Sequence, residues 1–315
     1  MGLSFARHKL TQLAIWMGPH NPLTRFALRR SCRPASLTFG PLYLDICRDQ
    51  RVIRIAAKHF PYAKDMVRYF DSYFSQVVPQ RCGAHLIVDY SGPKLQTYPN
   101  GLQFEISSIP EEAEALESYF YWYRPKPADT IFDIGAYCGV STYHFAKAAS
   151  EGKVVAFEPD PINYALLVRN IERHQLSNVI PVRSAIAGQS GTAAFSSEGT
   201  MGSLLERHSS RATLGSIETI QTLSFEDACQ EYGVPDFVKV DIEGSEIEML
   251  AAAQQFLRQH PVRFALDTNH RMATTGDLTA STVEKLFREC RYETHSSAEF
   301  GYMTTWARPV ASNRA

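Results

Sequence analysis

Apolar positions in the C-terminal part of the chain fall into short β-like runs that alternate with stretches of helical spacing, the pattern of a parallel α/β sheet. Thr130 to Ile134 is a run carrying Asp133 near its end. Gly135 and Gly139 follow, and the stretch Ser141 to Ala149 is helix-like. The next run, Val154 to Phe157, ends at Glu158. Asp160 and Pro161 then supply an N-cap and a first helical position, and Tyr164, Leu167, Val168 and Ile171 form the stripe of a helix packed on a sheet. Val179 to Arg183 predicts a third strand that brings Ser184 and Ala185 to the same edge, Phe237 to Val240 a fourth, and Val262 to Leu266 a fifth. Ser245-x-x-Glu248 has the form of a capping box, with Met249, Ala252, Ala253 and Phe256 as the buried stripe of the helix it opens. After a helix over Thr282 to Arg291, Tyr292 to His295 and Tyr302 to Trp306 predict a closing hairpin.

Ahead of this region the pattern is less regular. Leu42 to Cys47 and Arg51 to Ala56 predict short strands, Tyr62 to Val77 a helix, and His85 to Asp89 a strand partnered by Leu102 to Ser107. Pro110 opens a Glu-rich helix running towards Trp122. No catalytic motif lies here. The expectation is a basic arm over 1–37, an α+β cap region over 38–127 that shapes an acceptor pocket, and a cofactor domain over 128–315. Tyr119, Tyr121, Trp122 and Tyr123 could stack on a sugar ring or line a pocket, but packing at a domain junction is the expected role.

The candidate chemistry sits where the runs end. An acid at a strand end with two glycines after it has the form of a nucleotide cradle, because glycine admits ligand and backbone where a Cβ would clash. The order D-x-G-x-x-x-G departs from the G-x-G-x-x-G that makes room for a pyrophosphate, so a nucleoside cofactor without phosphates fits better. Glu158 stands 25 residues after Asp133, the spacing of a carboxylate under a ribose, and two hydroxyls can donate to one carboxylate. Ser184 and Ala185 are small enough to admit an adenine ring. Asp241, Glu243 and Glu246 crowd together at another strand end, and like charges so close require a function, a cation or open water.

Composition narrows the classes. The 315 residues, 44% of them hydrophobic, can bury a full core. No apolar run approaches the ~18 residues of a membrane span. Six cysteines without a C-x-x-C pair point to a reduced, cytoplasmic protein. The formal charge is −1, yet Met1 to Leu44 holds six Lys/Arg and no acid, which leaves −1 − 6 = −7 on the remainder. An acidic remainder argues against a nucleic-acid partner. Arg25, Arg29, Arg30 and Arg33, set around Phe26, Ala27 and Leu28, make the arm a candidate for peripheral contact with an anionic membrane. No His/Cys cluster supports zinc, and no metal is expected, although Asp241, Glu243 and Asp267 offer hard oxygen ligands. His174, His208, His260 and His295 have no partners by spacing and are expected on the surface or in packing.

DIGAYCGVS, VVAFEPDPINYALLVRNI, IPVRSAIAG, LSFEDA and DFVKVDIEGSEIEML, in this order, resemble the FkbM-type family of S-adenosylmethionine-dependent methyltransferases from about Ala128 to the end. The pair FEP and K-x-D-x-E-G-x-E carries the specificity. The resemblance implies a Rossmann-like class I methyltransferase fold, α/β, with a seven-stranded mostly parallel sheet of order 3-2-1-4-5-7-6, a terminal antiparallel hairpin and an α+β N-terminal extension. It implies that Asp133, Gly135 and Gly139 surround the methionine part of S-adenosyl-L-methionine, that Glu158 holds the ribose, and that Asp241 and Glu243 face methyl transfer; Ala136 in the glycine loop, Ser184, Ala185 and Asp241 are also expected among the cofactor-binding residues. This chain departs from the family at Leu223-Ser224, where many members have Leu-Asp, and at Asp267-Thr-Asn-His270, where many have E-x-H.

The expected activity is O-methylation of a hydroxyl on a sugar, glycolipid or secondary metabolite, a small-molecule or glycan acceptor. Asp241, Glu243, Asp267 and His270 are candidate bases, and His270 has the intrinsic pKa for the task. Two rivals stay open: a nicotinamide-dependent oxidoreductase, which lacks its glycine spacing here, and a non-catalytic cofactor-binding module.

Overall fold

The computed structural model describes residues 17–110, 113–198, 202–204, 216–272 and 275–310, and the chain divides into two compact units, Met1–Pro110 and Glu111–Ala315. The basic arm before residue 17, and His208, lie outside the described residues. Among the described residues no helix is long and apolar enough to cross a membrane.

In the first unit, helix α1 (Pro22–Ser31) starts where the Asn21 side chain accepts the Leu23 N–H. It leaves Leu23 and Phe26 both 68% exposed, while Arg25 and Arg29 lie over the Phe39 ring. Strands β1 (Ser36–Phe39), β2 (Tyr43–Arg48), β3 (Arg51–Ala56), β4 (Gln80–Cys82) and β5 (His85–Tyr90) form a sheet of order β1-β2-β3-β5-β4. The helix expected over Tyr62 to Val77 is broken at Tyr69 into α2 (Ala63–Arg68) and α3 (Phe70–Ser75). The expected partner of β5 pairs elsewhere. β7 (Gln103–Ile106) joins β6 (Lys94–Thr97) across the turn at Tyr98–Gly101, and β5 lies parallel to β3 instead. The short hairpin loop closes at lower entropic cost than the longer one that was expected.

The second unit opens with α4 (Ala113–Tyr119) and continues β8 (Thr130–Ile134), α5 (Val140–Ala148), β9 (Lys153–Phe157), α6 (Pro161–Arg173), β10 (Val179–Val182), β11 (Ala185–Ala187), β12 (Gly191–Ser197), β13 (Ser203–Leu204), β14 (Ser216–Ser224), α7 (Phe225–Tyr232), β15 (Phe237–Val240), α8 (Glu246–Gln259), β16 (Arg263–Asp267), α9 (Ala280–Glu289), β17 (Tyr292–Ser297) and β18 (Thr304–Pro309). A seven-stranded sheet runs β10-β9-β8-β15-β16-β18-β17, parallel from β10 to β16 and antiparallel at β18 and β17. Both faces are covered, which is why the strands read as continuous apolar runs. Phe132, Phe157 and Phe264 pack under α7, α8 and α9, and Ile131, Val154 and Trp306 on the other face pack with Phe145 of α5 and Leu167 of α6.

A second sheet, β11-β14-β12-β13, was not anticipated. Its long strands β12 and β14 are mostly polar and partly exposed, so the apolar-run criterion passes over them.

The aromatics after α4 pack within this unit: Trp122 stacks on His295, Tyr121 meets Trp306, and Tyr123 donates to Asp129. His260 stacks on Phe256 and His174 meets Tyr143, as packing residues do.

Candidate active site

A cavity opens at the carboxyl ends of β8, β9 and β15. Gly135, Glu158, Ser184, Ala185, Asp241 and Glu243, all expected from the sequence, line it. Asp133, Ala136 and Gly139, expected beside the cofactor, are not among the residues that line it.

Each of those three has a job in the turn. The Asp133 carboxylate is fully buried and accepts from Ser141 Oγ at 2.9 Å and Thr142 Oγ1 at 2.6 Å, so it ties β8 to the first turn of α5. The Ala136 N–H donates to Phe157 O, which closes the loop onto β9. Gly139 has φ +88, and a Cβ there would stand 2.6 Å from Leu167, so its glycine serves the approach of α6. Gly135 is constrained more severely: with φ +77, a Cβ would fall 1.9 Å from the Asp241 carbonyl oxygen. Its bare backbone therefore lets the β8 loop lie against the end of β15 and brings the two halves of the cavity together.

Glu158 is 5% exposed and is held by three donors. Tyr137 N–H donates to Oε2 at 2.8 Å; Asp160 N–H at 2.9 Å and Asn163 Nδ2 at 3.4 Å donate to Oε1. A carboxylate has about four acceptor positions, so about one is left, on Oε2, for a ligand hydroxyl rather than the two expected from the sequence. Burial, with the charge of Asp160 beside it, pushes the Glu158 pKa up to about 8 against the hydrogen bonds. Asp160 caps α6 as expected, accepting from the Ile162 and Asn163 N–H groups.

Asp241 and Glu243 line the other wall, and His270, not itself among the lining residues, meets them there, with one donor atom from each of the three within 4.8 Å of the others. His270 Nε2 lies 3.4 Å from Glu243 Oε2, and Nδ1 lies 3.4 Å from Glu246 Oε1. Glu246 is in turn fixed by Thr279 Oγ1 at 2.7 Å and the Gly244 N–H at 2.9 Å. Desolvation lowers the imidazole pKa, but the charges of Glu246 and Glu243 and their hydrogen bonds outweigh it and hold the pKa well above 6.5. Both ring nitrogens of His270, an expected base, therefore lie against carboxylates. Desolvation raises the Asp241 pKa, helped by Glu243 and Glu246 and opposed by Lys239 and His270. Desolvation likewise raises Asp267 to about 7, opposed by His270.

Ser245 does not cap. Its Oγ has no hydrogen-bond partner, and the Glu246 carboxylate takes the Gly244 N–H, so the expected capping box does not form. At Leu223-Ser224, by contrast, Ser224 Oγ caps α7 by accepting the Asp227 N–H.

Sequence reasoning missed Lys239, Tyr137, Asn163 and Ser203. Lys239 is 1% exposed; its Nζ donates to Gly135 O at 2.6 Å and lies 3.4 Å from Asp133 Oδ1, pinning the glycine loop to β15. A lysine inside the apolar run FVKV was the available signal, since a buried ammonium must be paired. Ser203, on the unanticipated sheet, is 2% exposed and lines the cavity with an unpartnered Oγ.

Residues 133–294 match the sequence model of the methyltransferase FkbM domain. Hexuronic acid methyltransferase AglP of Haloferax volcanii is 28% identical over 168 residues, 53% of this chain; the chain covers 64% of that protein's length. Among solved structures, a methyltransferase FkbM from Methylobacillus flagellatus KT is similar at TM-score 0.44 and 16% identity, over 61% of this chain and 47% of that one. An S-adenosylmethionine-dependent O-methyltransferase from Thermotoga maritima is similar at TM-score 0.39 and 14% identity, over 71% and 81%.

Proposed function

This chain belongs to the methyltransferase FkbM domain family, and we propose that it transfers the methyl group of S-adenosylmethionine to a hydroxyl of a sugar or hexuronic acid. The strand order of the large sheet supports reading the second unit as a Rossmann-like class I methyltransferase fold of order 3-2-1-4-5-7-6. The observation that carries the proposal is one cavity in which Glu158, with one acceptor position to spare, faces the wall that holds Asp241 and Glu243.

S-adenosylmethionine, when bound, supplies a methyl carbon on a positively charged sulfur. Glu158 would hold a ribose hydroxyl, Ser184, Ala185 and Ser203 would border the base, and the Gly135 loop would face the methionine end. Asp241 is the base. Desolvation makes it more proton-seeking than an ordinary carboxylate, and it would take the proton that the acceptor hydroxyl gives up on methylation. Holding the two reactants at near-attack distance supplies a further share, roughly 7–11 kcal/mol of the barrier. His270 lies between Glu243 and Glu246 and steadies both. The name of the Haloferax relative supports an acidic sugar as acceptor.

Calorimetry against S-adenosylmethionine and NAD, then transfer of radiolabelled methyl to a panel of sugars and uronates with mass spectrometry of products, tests this. NAD binding without a response to the methyl donor would favour the oxidoreductase, and cofactor binding with no transfer to any acceptor would favour a binding module. In the first unit, exposed Leu23 and Phe26 on the basic helix α1 support peripheral contact with an anionic membrane; co-sedimentation with anionic vesicles, absent with neutral ones, is the check.

A further inference from the structure

We propose that Asp241, Glu243 and His270 form a binding site for a divalent cation of the Mg2+/Mn2+ class at the acceptor end of the cavity. Their donor atoms lie within 4.8 Å of one another. Ligand atoms bound to a common cation at about 2.0–2.6 Å sit at most about twice that far apart, so small side-chain adjustments suffice. Asp241 and His270 follow the neighbouring parallel strands β15 and β16, so the framework is set by the sheet and does not need the ion to assemble it. Two carboxylates and one imidazole suit Mn2+ or Mg2+ better than a thiolate-seeking metal.

Two further observations point to a ligand. The first is how the imidazole is held. Fully buried Glu246 faces Nδ1, itself fixed by Thr279 and the Gly244 N–H, while Nε2 is directed at Glu243. A carboxylate beside one ring nitrogen fixes the ring and leaves the other, here turned to Glu243, to share a cation with that carboxylate, which is how proteins orient a metal-binding histidine. The second is Ser245, 1% exposed and among the residues lining the same cavity, whose buried Oγ has no hydrogen-bond partner.

The consequence for catalysis rests on the methyltransferase reading; binding of the cation does not. A cation here would chelate neighbouring oxygens of a sugar or the carboxylate of a uronate, which Asp241, Glu243 and Asp267 would otherwise repel. It would also acidify the acceptor hydroxyl, and the second oxygen of Asp241 would still be placed to take the proton.

The test uses the full chain, stripped with a chelator and titrated with Mn2+ alone, with free ion followed by electron paramagnetic resonance. Saturable binding to a single class of site is expected, with 14N modulation from an imidazole in the spin echo of the bound ion, a readout that needs no variant. Asp241→Asn, Glu243→Gln and His270→Gln should each weaken binding by more than about tenfold, a loss that even an outer partner of a ligand produces. No saturable binding with or without S-adenosylmethionine, an echo without nitrogen coupling, or unchanged affinity in folded variants would overturn the site. Because Mn2+ binding is read without turnover, its failure is distinct from a failure of methyl transfer.

Discussion

The proton on Glu158 gives the sharpest test of the cofactor site. Two of the three donors are backbone N–H groups, so the carboxylate stays in place whether or not a ligand is bound. One added hydrogen bond from a ribose hydroxyl to a charged acceptor contributes roughly 1.5–3 kcal/mol. At ~1.4 kcal/mol per decade that is a factor of about 10 to 150 in affinity. Because the pKa stands near 8 in the unliganded chain, most molecules are protonated at neutral pH and the bond is only partly realised. Affinity for S-adenosylmethionine should therefore climb as pH rises through about 8 and then level off, with a total gain bounded by that same factor of about 10 to 150.

Stability runs the other way. The folded pKa is raised above the ordinary 4.5, so the folded chain holds a proton that the unfolded chain has lost, and this group's contribution to stability falls as pH increases from about 4.5 to about 8. Calorimetric titrations of wild type and Glu158→Gln at several pH values, with melting temperatures of the unliganded proteins, measure both. Titration of the ligand itself enters both proteins alike and cancels in their ratio. A pH-independent ratio, or a Glu158→Gln protein that binds as tightly as wild type at pH 9, would refute the reasoning. The wild-type profile stands as a test even if the variant folds poorly.

Asp241→Asn should lower turnover by about a hundredfold or more while cofactor affinity stays within severalfold, as read by single-turnover kinetics and calorimetry; wild-type turnover would remove Asp241 from proton transfer. Lys239→Met should destabilise the chain by about 3 kcal/mol or more in urea titrations, because it leaves Asp133 buried beside no cation, and Asp133→Asn in the same chain should recover part of the loss. Gly135→Ala should abolish cofactor binding, since the new Cβ collides with the Asp241 carbonyl and must push the loop away from β15; tight binding by a folded Gly135→Ala protein would contradict that geometry.

The sequence was sufficient where a residue's role follows from its neighbours along the chain. Strands buried on both faces read as apolar runs, Asp160 and Pro161 announced α6, and an acid at a strand end must reach the crevice at the carboxyl edge of a parallel sheet, so Glu158, Asp241 and Glu243 were legible. Tertiary structure decided everything that depends on what comes from elsewhere. Asp133, expected beside the cofactor, accepts from Ser141 and Thr142 on one oxygen and lies 3.4 Å from Lys239 with the other, and His270, an expected base, has Glu243 and Glu246 beside its two ring nitrogens. The sheet bearing Ser203 was invisible because its strands are polar and pair across long sequence separation. Periodicity records which side of an element is buried, whereas pKa, hydrogen-bond capacity and close approach are set by groups that only folding brings within a few ångströms.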